Sequence, residues 1–155
     1  MFQMLFLLAF LVPAILFLIT QQNVLSTVQP ANRLMNPGLV WLQLIPLFGQ
    51  LWQFIVVSKI SDSIRKEFIS TKDDSIIGIS GAGIAQLDNR PGFNIGIAYC
   101  ILFTTGILIN LLHKASPDSI WLIGPLFTLS GMICWIIYWI ELVKYKNRLK
   151  KLRRE

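Results

Sequence analysis

Residues 37–57 read PGLVWLQLIPLFGQLWQFIVV, a run without a single charge. A spanning helix needs roughly 20 apolar residues at about 1.5 Å of rise each, and this run meets that length. Three more stretches share its character, 2–20, 92–112 and 120–143. Hydrophobic residues make up 54% of the chain and charged residues 14%. That is too little charge to clothe a water-soluble domain of this length. Little sequence lies outside the four stretches. The expectation is one all-α membrane domain over 1–155, an integral four-helix bundle with helical extensions on its cytoplasmic side.

The first stretch has the look of a secretory signal but lacks its flanks. No Lys or Arg precedes the apolar run, and no small-x-small cleavage site follows in Gln21-Gln22-Asn23, so a retained span is expected. Cys100 and Cys134 both fall inside expected spans and read as free thiols acting as small hydrophobes, not as a disulfide framework.

Lys and Arg near span ends are retained in the cytoplasm. The connection before the second stretch carries only Arg33, and the one after the third carries only Lys114. The connection 58–91 holds Lys59, Arg65, Lys66, Lys72 and Arg90, and the tail 144–155 holds Lys144, Lys146, Arg148, Lys150, Lys151, Arg153 and Arg154. With four spans both basic segments share one side, which places both termini in the cytoplasm. Within 58–91, the uncharged segment 75–87 (SIIGISGAGIAQL) is too short to span and reads as an interfacial or re-entrant loop. Its glycines match no phosphate-binding pattern, and no strand precedes them.

On a helix at 100° per residue, Gln43, Pro46, Gln50 and Gln53 fall on one face of the second stretch. Trp41, Ile45, Phe48, Trp52 and Ile55 take the opposite face. An amide turned to hydrocarbon leaves donors unpaired, so the glutamine face should meet other helices or trapped water. Pro46, with Gly49 close by, predicts a kink. Two uses of the three amides are open: ties between helices, or the lining of a small polar path. No ionisable residue lies mid-span, where transport sites commonly carry one, and this favours the ties.

Gly92 and Gly96 in the third stretch, and Gly124, Thr128 and Gly131 in the fourth, permit close helix approach. Trp135, Tyr138 and Trp139 suit an interfacial aromatic belt. Glu141 with Lys144 predicts an ion pair at a span end. His113 has no second ligand at metal-binding spacing, and Asp73-Asp74 reads as a loop or capping pair. No catalytic, cofactor or metal constellation stands out. Ile60, Ile64 and Phe68 after the second stretch, and Leu142, Tyr145, Leu149 and Leu152 after the fourth, form apolar stripes on helical continuations. The seven tail cations around the second stripe read as contacts to anionic lipid headgroups, each worth about 1 kcal/mol when well placed. The positive-inside bias already accounts for the charge, so nucleic acid is not invoked as a partner.

The chain resembles a group of small uncharacterised multi-span bacterial inner-membrane proteins. The likeness lies in Asn36-Pro37-Gly38-Leu39-Val40-Trp41, Ile45-Pro46-Leu47-Phe48-Gly49-Gln50-Leu51-Trp52, Ser61-Asp62-Ser63-Ile64 and Cys134-Trp135-Ile136-Ile137-Tyr138-Trp139. It implies a four-helix protein of the inner membrane and carries no active-site residues. The function expected is therefore that of a non-enzymatic membrane subunit or accessory scaffold, with a membrane-protein partner or further copies of itself. The alternative is a small oligomeric transporter or channel whose path is lined by Gln43, Gln50 and Gln53.

Overall fold

The uncharged run 37–57 is broken in two. In the computed structural model, which describes residues 2–73, 90–113 and 123–152 with side chains over 11–70, 90–112 and 123–151, its first part is a 3-10 helix, Pro37–Leu44. Asn36 caps that helix, its side chain accepting from Gly38 N at 3.0 Å, and Pro37 opens it where no N–H is needed. Ile45 leaves the helix in an extended conformation, the preference of a residue before proline. Leu47 then takes φ 64, a left-handed conformation that reverses the chain. The helix that follows, α2, is Phe48–Asp73.

The two limbs lie side by side. Trp52 Nε1 donates to Leu39 O at 2.8 Å, whereas thirteen residues along one straight helix would separate those positions by about 20 Å. The close approach needs the glycine at 49. A Cβ there would fall on the Gln43 carbonyl oxygen, with the carbonyl carbon 2.8 Å away. The kinked span expected over 37–57 is thus corrected to a helical hairpin, because Pro46 removes a backbone donor and Leu47 reverses direction.

Around the hairpin run three longer helices: α1 (Phe2–Thr27, continuing through Pro13), α3 (Phe93–His113) and α4 (Ile123–Leu152). Among the described residues there is no strand, so the all-α expectation holds. The contacts fix directions. Phe17 meets Trp135, and Thr20 Oγ1 accepts from Trp139 Nε1 at 2.9 Å, so α1 and α4 run parallel. Ser61 Oγ donates to Pro91 O at 2.9 Å and Gln53 Nε2 reaches Thr104 Oγ1 at 3.4 Å, so α2 and α3 run antiparallel. Gly96 faces Tyr138 while Gly106 faces Thr128, so α3 and α4 are antiparallel too.

Those directions place the amino end of α1 and the carboxyl end of α4 at opposite ends of the molecule. Four alternating crossings would have put them at one end. The connection carrying Arg33 packs on α2 beside Ser63, Lys66 and Glu67. The reversal at Leu47 brings it there. The segment 75–87, Lys114, Arg153 and Arg154 lie outside the described residues.

Two regions pack differently. At the end shared by Thr27, Ile64 and Leu149 there is a tight core: Val24, Leu25, Val28, Val40, Val56, Val57, Ile60 and Ile64 are fully enclosed, and Leu142 nearly so. Each such side chain contributes about 1.5–3 kcal/mol on burial. Toward His113 the helices touch along small residues, Gly106 against Thr128, Gly124 against Asn110 and Gly131 against Phe103. Their apolar side chains otherwise point outward, among them Leu16 on α1, Ile101, Leu108 and Leu112 on α3, and Leu126, Leu129, Ile133 and Ile140 on α4. Two segments, Phe93–Leu112 and Ile123–Lys151, are long and apolar enough to cross a bilayer. Only 22% and 17% of their most apolar windows are buried. A core helix of a soluble protein would be mostly enclosed, and these are not.

Candidate functional site

The three glutamines expected on one face are divided between two limbs. Gln43 stands on the 3-10 helix and turns to α1, its Nε2 donating to Gln21 Oε1 at 2.6 Å and to Val40 O at 3.1 Å. Beside it Trp41 Nε1 donates to Gln22 Oε1 at 2.8 Å. Gln50 and Gln53 stand on α2 and turn toward α3, Gln53 Nε2 donating to Gln50 Oε1 at 3.1 Å. No hydrogen bond joins Gln43 to the other two. The 100° wheel placed them together only by assuming one helix through Pro46. Sequence reasoning missed Gln21, which is fully buried and accepts from Gln43 while its own Nε2 has no partner. Its place at the end of an apolar run was the available signal, since an amide enclosed there needs a mate.

A second polar group, also missed, fastens the connection after α1 to α2. Glu67 is 6% exposed, and its Oε2 accepts from Gln29 N at 3.1 Å and Asn32 Nδ2 at 2.7 Å. Asn32 Nδ2 also reaches Ser70 Oγ at 2.7 Å. Ser63 Oγ accepts from Leu34 N at 3.0 Å, and Lys66 Nζ donates to Ala31 O at 3.0 Å. Arg33 folds back, its Nη2 donating to Val28 O at 3.0 Å. The donors are backbone and amide groups of a short connection that has no secondary structure of its own to satisfy them. Glu67, Ser63 and Ser70 of α2 supply the acceptors, and Lys66 in turn donates to the Ala31 carbonyl.

The basic tail is a direct continuation of α4. Leu142 and Leu149 are buried and Tyr145 half-buried, with Tyr145 edge-on to Phe68 at 6.4 Å between ring centroids. Within the apolar stripe of the tail, Tyr145 thus meets the chain's own α2. Lys144, Arg148, Lys150 and Lys151 are exposed and Lys146 half-buried. Glu141 forms no ion pair with Lys144; its Oε2 lies where a Cβ at Gly92 would be 3.3 Å away. Gly92 itself holds φ 69, a conformation open to glycine. Arg90 closes this corner, its Nε 2.9 Å from Asp62 Oδ1 and its guanidinium 4.7 Å above the Phe93 ring.

Both cysteines are free thiols. Among the described residues no group of three His, Cys, Asp or Glu side chains could hold a metal ion. Compared with models of known protein families, with curated proteins and with solved structures, the chain matches none.

Proposed function

We propose that the chain is an integral membrane protein of a bacterial inner membrane and serves there as a non-enzymatic subunit or accessory scaffold. The observation that carries the reading is the outward face of α3 and α4. Apolar side chains cover it, yet Ser130, among Leu126, Leu129 and Ile133, is exposed without a hydrogen-bond partner among the described residues. In hydrocarbon such groups act as ties to neighbouring helices. The polar residues that do have partners spend them within the fold, Gln43 on Gln21 and Gln53 on Gln50. This supports structural ties over a continuous glutamine-lined path, the alternative that a transporter or channel would need. The exposed tail cations Lys144, Arg148, Lys150 and Lys151 suit contact with anionic headgroups.

Purification in mild detergent followed by mass spectrometry is the test. A second membrane protein in fixed ratio, or a defined homo-oligomer, is expected, and Ser130→Leu should weaken it. A lone monomer in several detergents sinks the subunit reading.

A further inference from the structure

We infer that 37–57 enters and leaves the membrane on the same side, as a re-entrant hairpin, so that the chain crosses three times, through α1, α3 and α4. The inference rests on the membrane reading above and goes beyond it, because it assigns the two termini to opposite sides and gives the hairpin its own lipid surface.

Depth follows from helix geometry. Val57 packs where a Cβ at Gly96 would touch it at 2.5 Å, which sets α2 and α3 level at that point. Phe48, nine residues earlier, lies about 14 Å lower, and Phe93 lies about 5 Å higher, at 1.5 Å per residue. The tip is therefore roughly 18 Å below the start of α3, against about 29 Å for the apolar length of Phe93–Leu112. It stops past the midplane but well short of the far side. The descending limb agrees: Gln43 meets Gln21 on α1, and Leu34, just before the 3-10 helix, meets Ser63 above Val57. Both mouths of the hairpin thus open at the same end.

Three features fit a hairpin that turns back inside the bilayer. Its tip is an exposed apolar patch, Leu44, Ile45, Leu47, Phe48 and Leu51, with Leu47 87% and Leu51 69% exposed. Such a patch suits acyl chains and is costly in water. Backbone polar groups at membrane depth need partners within the chain, and at this turn Phe48 N donates to Pro46 O and Gly49 N to Ile45 O, both at 2.7 Å. Charge also sorts better. With three crossings Arg33 joins Lys59, Arg65, Lys66, Lys72, Arg90 and the seven tail cations, leaving Lys114 alone to follow the other end of α3. The positive-inside rule then puts the carboxyl end in the cytoplasm and the amino end outside.

The test is cysteine labelling of the full chain, with Cys100 and Cys134 replaced by Ala, in right-side-out and inside-out vesicles. The substitutions are Gln3→Cys, Asn36→Cys, Leu47→Cys and Ser70→Cys, and the probe is a membrane-impermeant maleimide. Asn36→Cys and Ser70→Cys should react only in inside-out vesicles, Gln3→Cys only in right-side-out vesicles, and Leu47→Cys in neither. Reaction of Asn36→Cys and Ser70→Cys from opposite sides overturns the hairpin and restores four crossings. A protein absent from the vesicles, or labelled at every position in both, overturns the membrane reading itself. A tag placed before Met1 gives an independent check without substitutions: protease added to right-side-out vesicles should remove it, and protection contradicts the inference.

Discussion

Gly49→Val is expected to unfold the hairpin and lower stability by about 3 kcal/mol, the upper end of what overpacking costs. The reason is the identity of the atoms it meets. At Gly49 a Cβ collides with the carbonyl oxygen of Gln43, and Gln43 Cα is 3.2 Å away, so backbone and not a pliable side chain must move. Moving it separates Trp52 from Leu39 and draws Gln43 off Gln21. Gly38→Ala is the matched control, since its Cβ meets only Asn36 Oδ1 at 3.6 Å, an ordinary contact. The readouts are the midpoint of unfolding in a denaturing-detergent titration and disulfide formation between Gln21→Cys and Gln43→Cys. Both should fall for Gly49→Val and stay within about 0.5 kcal/mol, or unchanged, for Gly38→Ala. An unaltered midpoint for Gly49→Val contradicts the folded-back geometry.

Glu67→Leu should cost a similar amount, about 3 kcal/mol, through loss of hydrogen bonds to a charged acceptor worth about 1.5–3 kcal/mol each and not fully additive. The leucine leaves Gln29 N without its acceptor and takes one of two from Asn32 Nδ2, in a place too enclosed for water to substitute freely. The connection should then lift from α2 and expose Arg33. Glu67→Gln keeps a carbonyl oxygen at the same reach and should recover much of the loss. Trypsin cleavage after Arg33 reports the opening directly: faster in Glu67→Leu, close to the parent in Glu67→Gln. Equal cleavage in all three means the connection is held by the core residues Val28 and Met35 alone.

The long helices were legible because apolar length is a local property. Residues 92–112 and 120–143 each lack charge except at the very end of the second, and α3 and α4 cover nearly those bounds. The stripes Ile60-Ile64 and Leu142-Leu149 were legible as apolar faces, but not as parts of one core. Periodicity reports which side of a helix is apolar and is silent on what covers it. Residues 37–57 failed for a different reason. Proline in an apolar run is compatible with a bend or with a full reversal, and the choice is made by distant partners, Gln21 for Gln43 and Ser63 for Leu34. The proline and glycine that permit the turn were in view; the contacts that select it lie on α1 and on the far half of α2. The role of Glu67 was not legible, because nothing nearby in the chain reveals that Gln29 and Asn32 come to meet it.

The central claim is that one end of this molecule is packed and wet while the other presents its apolar side chains to lipid. Spin labels at Leu16, Leu108 and Ile133, and at Lys59, Lys66 and Lys150, test it in reconstituted bilayers through collision with oxygen and with a water-soluble nickel chelate. The account predicts that oxygen, which concentrates in hydrocarbon, dominates at the first three positions and the chelate at the second three. Chelate-dominated collision at Leu108 and Ile133 would contradict it.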